Sequence, residues 1–166
     1  METLRYSFMD SPAGPLAIVM SDRGLMGLHF NGRAEIPPRG DKKAEWVEDA
    51  ARTADVRREL EQYFAGRRRE FSVPLDLRGT DFQLRCWREL LKIPFGQTRT
   101  YADIARAIGS PRAFRAVGLA NHDNPVAIIV PCHRVIASGG GLCGYGGGLD
   151  IKQKLLELEG ALTISM

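Results

Sequence analysis

The 166-residue chain is short of the residues that build metal sites and disulfide scaffolds, with three cysteines (Cys86, Cys132, Cys143) and three histidines (His29, His122, His133). An odd cysteine count excludes a closed disulfide framework, and the lack of any CxxC spacing argues against zinc, so no metal and no other cofactor is expected. No apolar stretch approaches the roughly 20 residues needed to cross a bilayer. The charged opening, METLRYSFMD, does not read as a signal peptide. These absences point to a reducing, cytoplasmic setting in which thiols stay free. Charge of one sign is scarce too: 23 Lys and Arg against 20 Asp and Glu leave a net +3. That balance permits a polyanionic partner without demanding one. What is present, 44% hydrophobic residues, suits a globular chain with a real core.

The pattern divides into two halves, residues 1–76 and 77–166, and reads as an α+β chain. In the first, apolar runs at Leu4–Met9, Leu16–Met20 and Leu25–Phe30 are separated by Pro/Gly/Asp turns, the signature of a small antiparallel sheet. Asn31–Lys43 is polar and rich in Pro, Gly and Arg, a loop. Val56, Leu60, Tyr63 and Phe64 then recur at helical spacing, with Gly66 as the stop. Arg67–Asp76 reads as an exposed or edge segment leading out.

In the second half, Thr80 or Asp81 caps a helix running to about Lys92, with Phe82, Cys86 and Leu90 on its apolar stripe. Two short helices follow, Tyr101–Ile108 and Pro111 to about Ala120, broken by Gly109-Ser110. Together they resemble a helix-turn-helix. Val126–Val130 is continuously apolar and reads as a buried strand leading into Pro131-Cys132-His133-Arg134-Val135. A glycine loop, 139–148, precedes a last helix over Leu149–Leu158.

Cys132 is the residue with chemistry to explain. A free thiol is only a few per cent thiolate at neutral pH, so a nucleophilic cysteine needs a base or a positive neighbour. His133 and Arg134 both qualify, and a tight turn opened by Pro131 would let an adjacent side chain face the thiol. The base needs an orienting acceptor, for which the last helix offers Glu157 and Glu159. Cys86, on a helix stripe, reads as a core residue; Cys143, in the glycine loop, has no base beside it.

The run Asn124-Pro125-Val126-Ala127-Ile128-Ile129-Val130-Pro131-Cys132-His133-Arg134-Val135 resembles the active-site signature of the O6-alkylguanine-DNA alkyltransferases, the methylated-DNA–protein-cysteine methyltransferases. The likeness extends over Gly79–Gly160, with Arg112–Gly118 and Gly144–Leu149 at corresponding places; the first half resembles the family in length and strand-rich pattern. It implies an N-terminal ribonuclease-H-like sheet domain and a C-terminal helical domain with a winged helix-turn-helix. It implies DNA repair by irreversible transfer of an alkyl group from O6 of guanine in double-stranded DNA, with O4 of thymine a second candidate. The protein would be a monomer, with cooperative binding along DNA left open.

The resemblance also implies roles. Cys132 accepts the alkyl group, His133 is its base through a water, Glu159 orients His133, and Asn124 braces the turn. Tyr101 donates to guanine N3 and helps rotate the nucleotide. Arg115 is the finger filling the vacated base stack, while Arg112, Ala113, Ala116 and Gly118 allow close approach to the minor groove. Tyr145, Gly146 and Val135 line the base pocket. Between Asp81 and Val135 eight basic residues face four acidic ones, an excess suited to phosphate. Gly146 stands where some relatives have a serine, so backbone would serve O6. Phe114 is bulky where alanine is usual, and is expected to pack under its helix. His122 reads as an incidental exposed histidine.

Two other classes compete. A non-enzymatic lesion binder would flip alkylguanine without reacting, but such relatives replace the acceptor cysteine. A plain winged-helix protein would bind DNA indifferently to alkylation.

Overall fold

A computed structural model describes residues 1–139 and 148–161, within two compact units, Met1–Leu77 and Arg78–Met166. The first unit is a four-stranded sheet with one helix. Strands β1 (Glu2–Met9), β2 (Leu16–Met20) and β3 (Leu25–Phe30) form the expected antiparallel meander, with Arg5 opposite Met20 and Leu16 opposite Phe30. All five residues of β2 are buried, which suits the sheet's interior position. A fourth strand, β4 (Ala44–Glu48), lies parallel to β1, so the sheet order is β3-β2-β1-β4 and the sheet is mixed. It escapes sequence reading because AEWVE is an edge segment with exposed Glu45 and Glu48 and only partial burial elsewhere. Helix α1 (Ala54–Phe64) buries Val56, Leu60 and Tyr63 completely, each burial contributing about 1.5–3 kcal/mol. The segment after α1 returns to the sheet edge: Leu25 N donates to Pro74 O at 2.8 Å, and Asp76 N to Leu25 O at 2.8 Å. The crossing is so close that a Cβ on Gly24 would lie 2.5 Å from Pro74 O.

The second unit is built from helices. Helix α2 (Asp81–Leu90) starts with a capping box in which Thr80 Oγ1 accepts from Gln83 N and Gln83 Oε1 accepts from Thr80 N. Its buried face is Cys86, Trp87 and Leu90, and Trp87 Nε1 donates to Ala120 O at 2.9 Å. The two-residue strand β5 (Arg99–Thr100) leads straight into α3 (Tyr101–Ala107), capped by the Thr100–Asp103 box. After a turn comes α4 (Phe114–His122). It starts three residues later than Pro111, because Ala113 N closes a turn onto Ser110 O and Ala113, with no capping side chain, takes the N-cap place. The pair α3–α4 is the helix-turn-helix. A single 3-10 turn spans Cys132–Arg134, β6 (Val135–Ile136) pairs parallel with β5, and α5 (Leu149–Leu158) follows.

The segment Val126–Val130 is buried but is not a strand. It folds on itself through Ile129 N to Ala127 O and Val130 N to Val126 O, with Ile128 at φ 71°. An unbroken apolar run reports burial, not conformation. A β-branched residue in the left-handed region costs energy that the surrounding packing must supply, a kind of strain that collects at functional sites.

Candidate active site

The tight turn is stapled by one side chain. Asn124 Oδ1 accepts from Val126 N at 3.0 Å, and Asn124 Nδ2 donates to Val130 O at 2.8 Å and to Cys132 Sγ at 3.0 Å. Both ends of the apolar loop and the thiol are therefore held by a single carboxamide. Donation to sulfur favours its anionic form. Cys132 is 5% exposed, while Cys86 is fully buried with its thiol pushed up by burial, an inert environment.

Next to the thiol in sequence, His133 is wholly buried, and its Nε2 lies 2.7 Å from Glu159 Oε2. Glu159 takes two further bonds from Arg134, Nε to Oε1 at 2.7 Å and Nη2 to Oε2 at 3.0 Å, and Arg134 Nη1 donates to Ile93 O at 2.7 Å. Burial by itself would raise the Glu159 pKa. The bonds from His133 and Arg134 outweigh it and hold the carboxyl at about 2. Glu159 is thus an anion that only accepts, so the proton between the pair belongs to His133 Nε2. Burial pushes His133 below its ordinary value of 6.5, although Glu159 pulls the other way. The ring is neutral at physiological pH, with its lone pair on Nδ1. That Nδ1 is buried and has no hydrogen-bond partner. A neutral imidazole with a fixed tautomer and an unused acceptor nitrogen is equipped to take a proton.

Of the two acids sequence reading left open, Glu159 reaches His133, whereas Glu157 is exposed and accepts from Gln153. Glu159 sits at the C-cap of α5, and a Cβ on Gly96 would lie 3.2 Å from its carbonyl oxygen. Tyr101, the first residue of α3, is half-buried. A Cβ on Gly118 would lie 3.9 Å from its ring, so α3 and α4 meet there. Arg112, Arg115 and Ala116 are exposed, Ala113 and Gly118 are half-buried, and Val135 is fully buried. Tyr145, Gly146 and Cys143 lie outside the described residues. Phe114 does not pack under its helix; it is 48% exposed. His122 is exposed, 3.3 Å from Asp123.

Two cations lie in the interior, one against its sequence reading and one that the sequence reading did not single out. Arg134, counted with the phosphate-facing bases, is buried on Glu159. Lys152 is completely buried, its Nζ donating to Val135 O at 2.6 Å and standing 5.9 Å from the centre of the Tyr101 ring. Its inward place was legible: it falls on the α5 stripe that carries Leu155 and Leu156. Among the described residues no group of three His, Cys, Asp or Glu side chains could hold a metal, and no helix is long and apolar enough to cross a membrane.

Comparison with models of known families matches residues 4–77 to the ribonuclease-like domain of 6-O-methylguanine DNA methyltransferase. Residues 81–161 match its DNA binding domain. The chain is 49% identical over 157 residues to a methylated-DNA–protein-cysteine methyltransferase of Methanosarcina barkeri, covering 93% of this chain and 96% of that one. A protein of the same name from Mycobacterium tuberculosis is 50% identical over 156 residues, 94% of this chain and 92% of its own. Among solved structures, the Mycobacterium tuberculosis O6-methylguanine methyltransferase superposes with a TM-score of 0.85 at 48% identity, covering 98% of this chain and 96% of that chain. The Mycobacterium tuberculosis OGT in complex with DNA superposes with a TM-score of 0.84 at 48% identity, covering 96% and 93%.

Proposed function

The chain belongs to the 6-O-methylguanine DNA methyltransferase family and repairs DNA by moving an alkyl group from a damaged base onto one of its own cysteines, and we propose that this cysteine is Cys132. The observation that carries the assignment is the buried relay beside it: an ionised Glu159, a neutral His133 with its proton on Nε2, and an Nδ1 with no other partner. In this reading the substrate is duplex DNA carrying O6-alkylguanine, with O4-alkylthymine a second candidate.

The steps follow from the geometry and from the chemistry of the lesion. The alkylated base lies inside the stack, so it is rotated out at a cost of a few kcal/mol. Arg115 fills the vacancy, and the surface of Arg112, Ala113, Ala116 and Gly118 rests in the minor groove. The family likeness assigns the pocket that receives the base to Val135, Tyr145 and Gly146. Through a water, Nδ1 of His133 draws the proton from Cys132, whose sulfur is held by Asn124. Sγ attacks the alkyl carbon; the C–S bond forms as the C–O6 bond breaks, and that electron pair stays with guanine. Tyr101 donates to N3 of the departing base, and the proton given up by the thiol replenishes it. A hydrogen-bond donor aimed at developing charge is where catalytic stabilisation is largest. The thioether is a poor leaving group, so each molecule acts once and no cofactor is consumed.

Residues 77–166 carry DNA binding and transfer in this reading, and residues 1–76 form a supporting domain. The acceptor must be reduced, which suits the cytoplasm. The protein acts as a monomer. Incubation with a duplex carrying isotopically labelled O6-methylguanine tests the reading. Label should enter the protein to one methyl per chain and stop; continued turnover, or label that stays in the DNA, would contradict it.

A further inference from the structure

We propose that Phe114 and Leu119 flank Arg115 as an apolar wedge, so that α4 grips the minor groove through hydrophobic contact as well as charge; this rests on the DNA-repair reading above. The helix is expected to present small residues to a narrow groove. Instead it carries Phe114 at 48% exposure and Leu119 at 62%, the highest of any large apolar side chain after Met1 among the described residues. With 3.6 residues per turn, Leu119 lies one turn beyond Arg115 on the same outward stripe. Phe114 precedes Arg115 and shares an edge with Gly118, the edge that meets Tyr101. Val117 and Ala120 are buried, so the helix is anchored by its other side.

A single exposed apolar residue needs no explanation. Two large ones on a nine-residue helix, bracketing the arginine aimed at the base stack, do. Phosphates offer them nothing. The duplex presents apolar surface on the deoxyribose walls of the minor groove and between base pairs that have been parted, where wedges of Phe and Leu are common. Exposed Ala116 borders Leu119 on the edge away from Phe114, where its small side chain leaves room for the backbone to approach.

Charge and apolar contact differ in salt dependence. Each phosphate contact releases counterions and steepens the fall of affinity with salt; an apolar contact does not. Binding to an O6-methylguanine duplex is therefore measured by fluorescence anisotropy across salt concentrations, in a Cys132→Ser background that prevents reaction. Phe114→Ala and Leu119→Ala should each weaken binding about tenfold at every salt concentration, the scale of one lost large apolar contact, on lines parallel to the parent. With Cys132 intact, repair of duplex should fall more than labelling by free O6-benzylguanine, which also confirms folding. Phe114→Leu and Leu119→Met, which keep apolar bulk, should recover most of the affinity. Unchanged binding, an altered salt slope, or equal losses on duplex and free base would each overturn the wedge. If the parent takes no methyl from duplex, it is the repair reading that fails.

Discussion

Each unit of the chain buries a glutamate, and the two differ in where their hydrogen bonds lead. Glu59 on α1 accepts from Ser72 N at 2.8 Å and Ser72 Oγ at 2.6 Å, with Arg68 at 3.7 Å. Every bond ties the segment after α1 to the helix, and Arg68 carries the network on to Gln62 Oε1 at 2.8 Å and Glu70 O at 2.9 Å, within that same helix and segment. Glu159 accepts from Arg134 and His133, and the chain continues through the imidazole to an Nδ1 with no partner. Buried polar atoms are mostly satisfied; His133 Nδ1 shares its lack of a partner with Arg57 Nε and the Asn121 carboxamide, and differs from them in ending a chain that starts at an ionised carboxylate and runs up beside Cys132. Burial and pairing by themselves do not separate the two glutamates; the open end does.

The largest effect should come from Glu159→Gln. It strands Arg134 in the interior without a countercharge, costing about 3–5 kcal/mol. It also removes the anion that fixes the His133 tautomer, and labelling by O6-benzylguanine should slow by about a hundredfold. Chemical unfolding and a labelling time course read the two effects separately. Smaller is Glu59→Gln, which leaves one of the Ser72 donors poorly met and should cost about 1–3 kcal/mol. Its labelling rate should stay within about twofold of the parent. A loss of labelling like that of Glu159→Gln would erase the distinction between the two sites.

Acid supplies the mildest perturbation. The unfolded chain protonates histidine at 6.5, a proton that buried His133 refuses, so stability begins to fall as pH drops through 6.5. The Glu159 contribution is fully present above its unfolded value of 4.5 and is lost as pH falls towards about 2. Denaturant midpoints between pH 7.5 and 3 should therefore decline in two stages, and Glu159→Gln should flatten the lower one. A midpoint that rises on acidification would reverse the assigned protonation states.

Much of this was legible in the residues. Strands β2 and β3 and helix α5 fall at Leu16–Met20, Leu25–Phe30 and Leu149–Leu158, where hydrophobic periodicity puts them. Strand β4 was not legible because its pairing with β1 is non-local and its alternation is broken by charge. Val126–Val130 reads as a strand because apolar content says nothing of the Asn124 staple that bends it. At the site, Cys132 and His133 are visible as neighbours, and Glu159 comes from family likeness. The grip of Arg134 on Glu159 spans 25 residues and depends on packing that no local pattern encodes.

The central claim is that Cys132, of the three cysteines, is the acceptor, and it is tested most directly by locating the adduct. After reaction with excess O6-benzylguanine, intact mass should rise by one benzyl group, and peptide mapping should find it on Cys132, with Cys132→Ser unlabelled. A gain on Cys86 or Cys143, or a benzyl group that still appears in Cys132→Ser, would contradict the account.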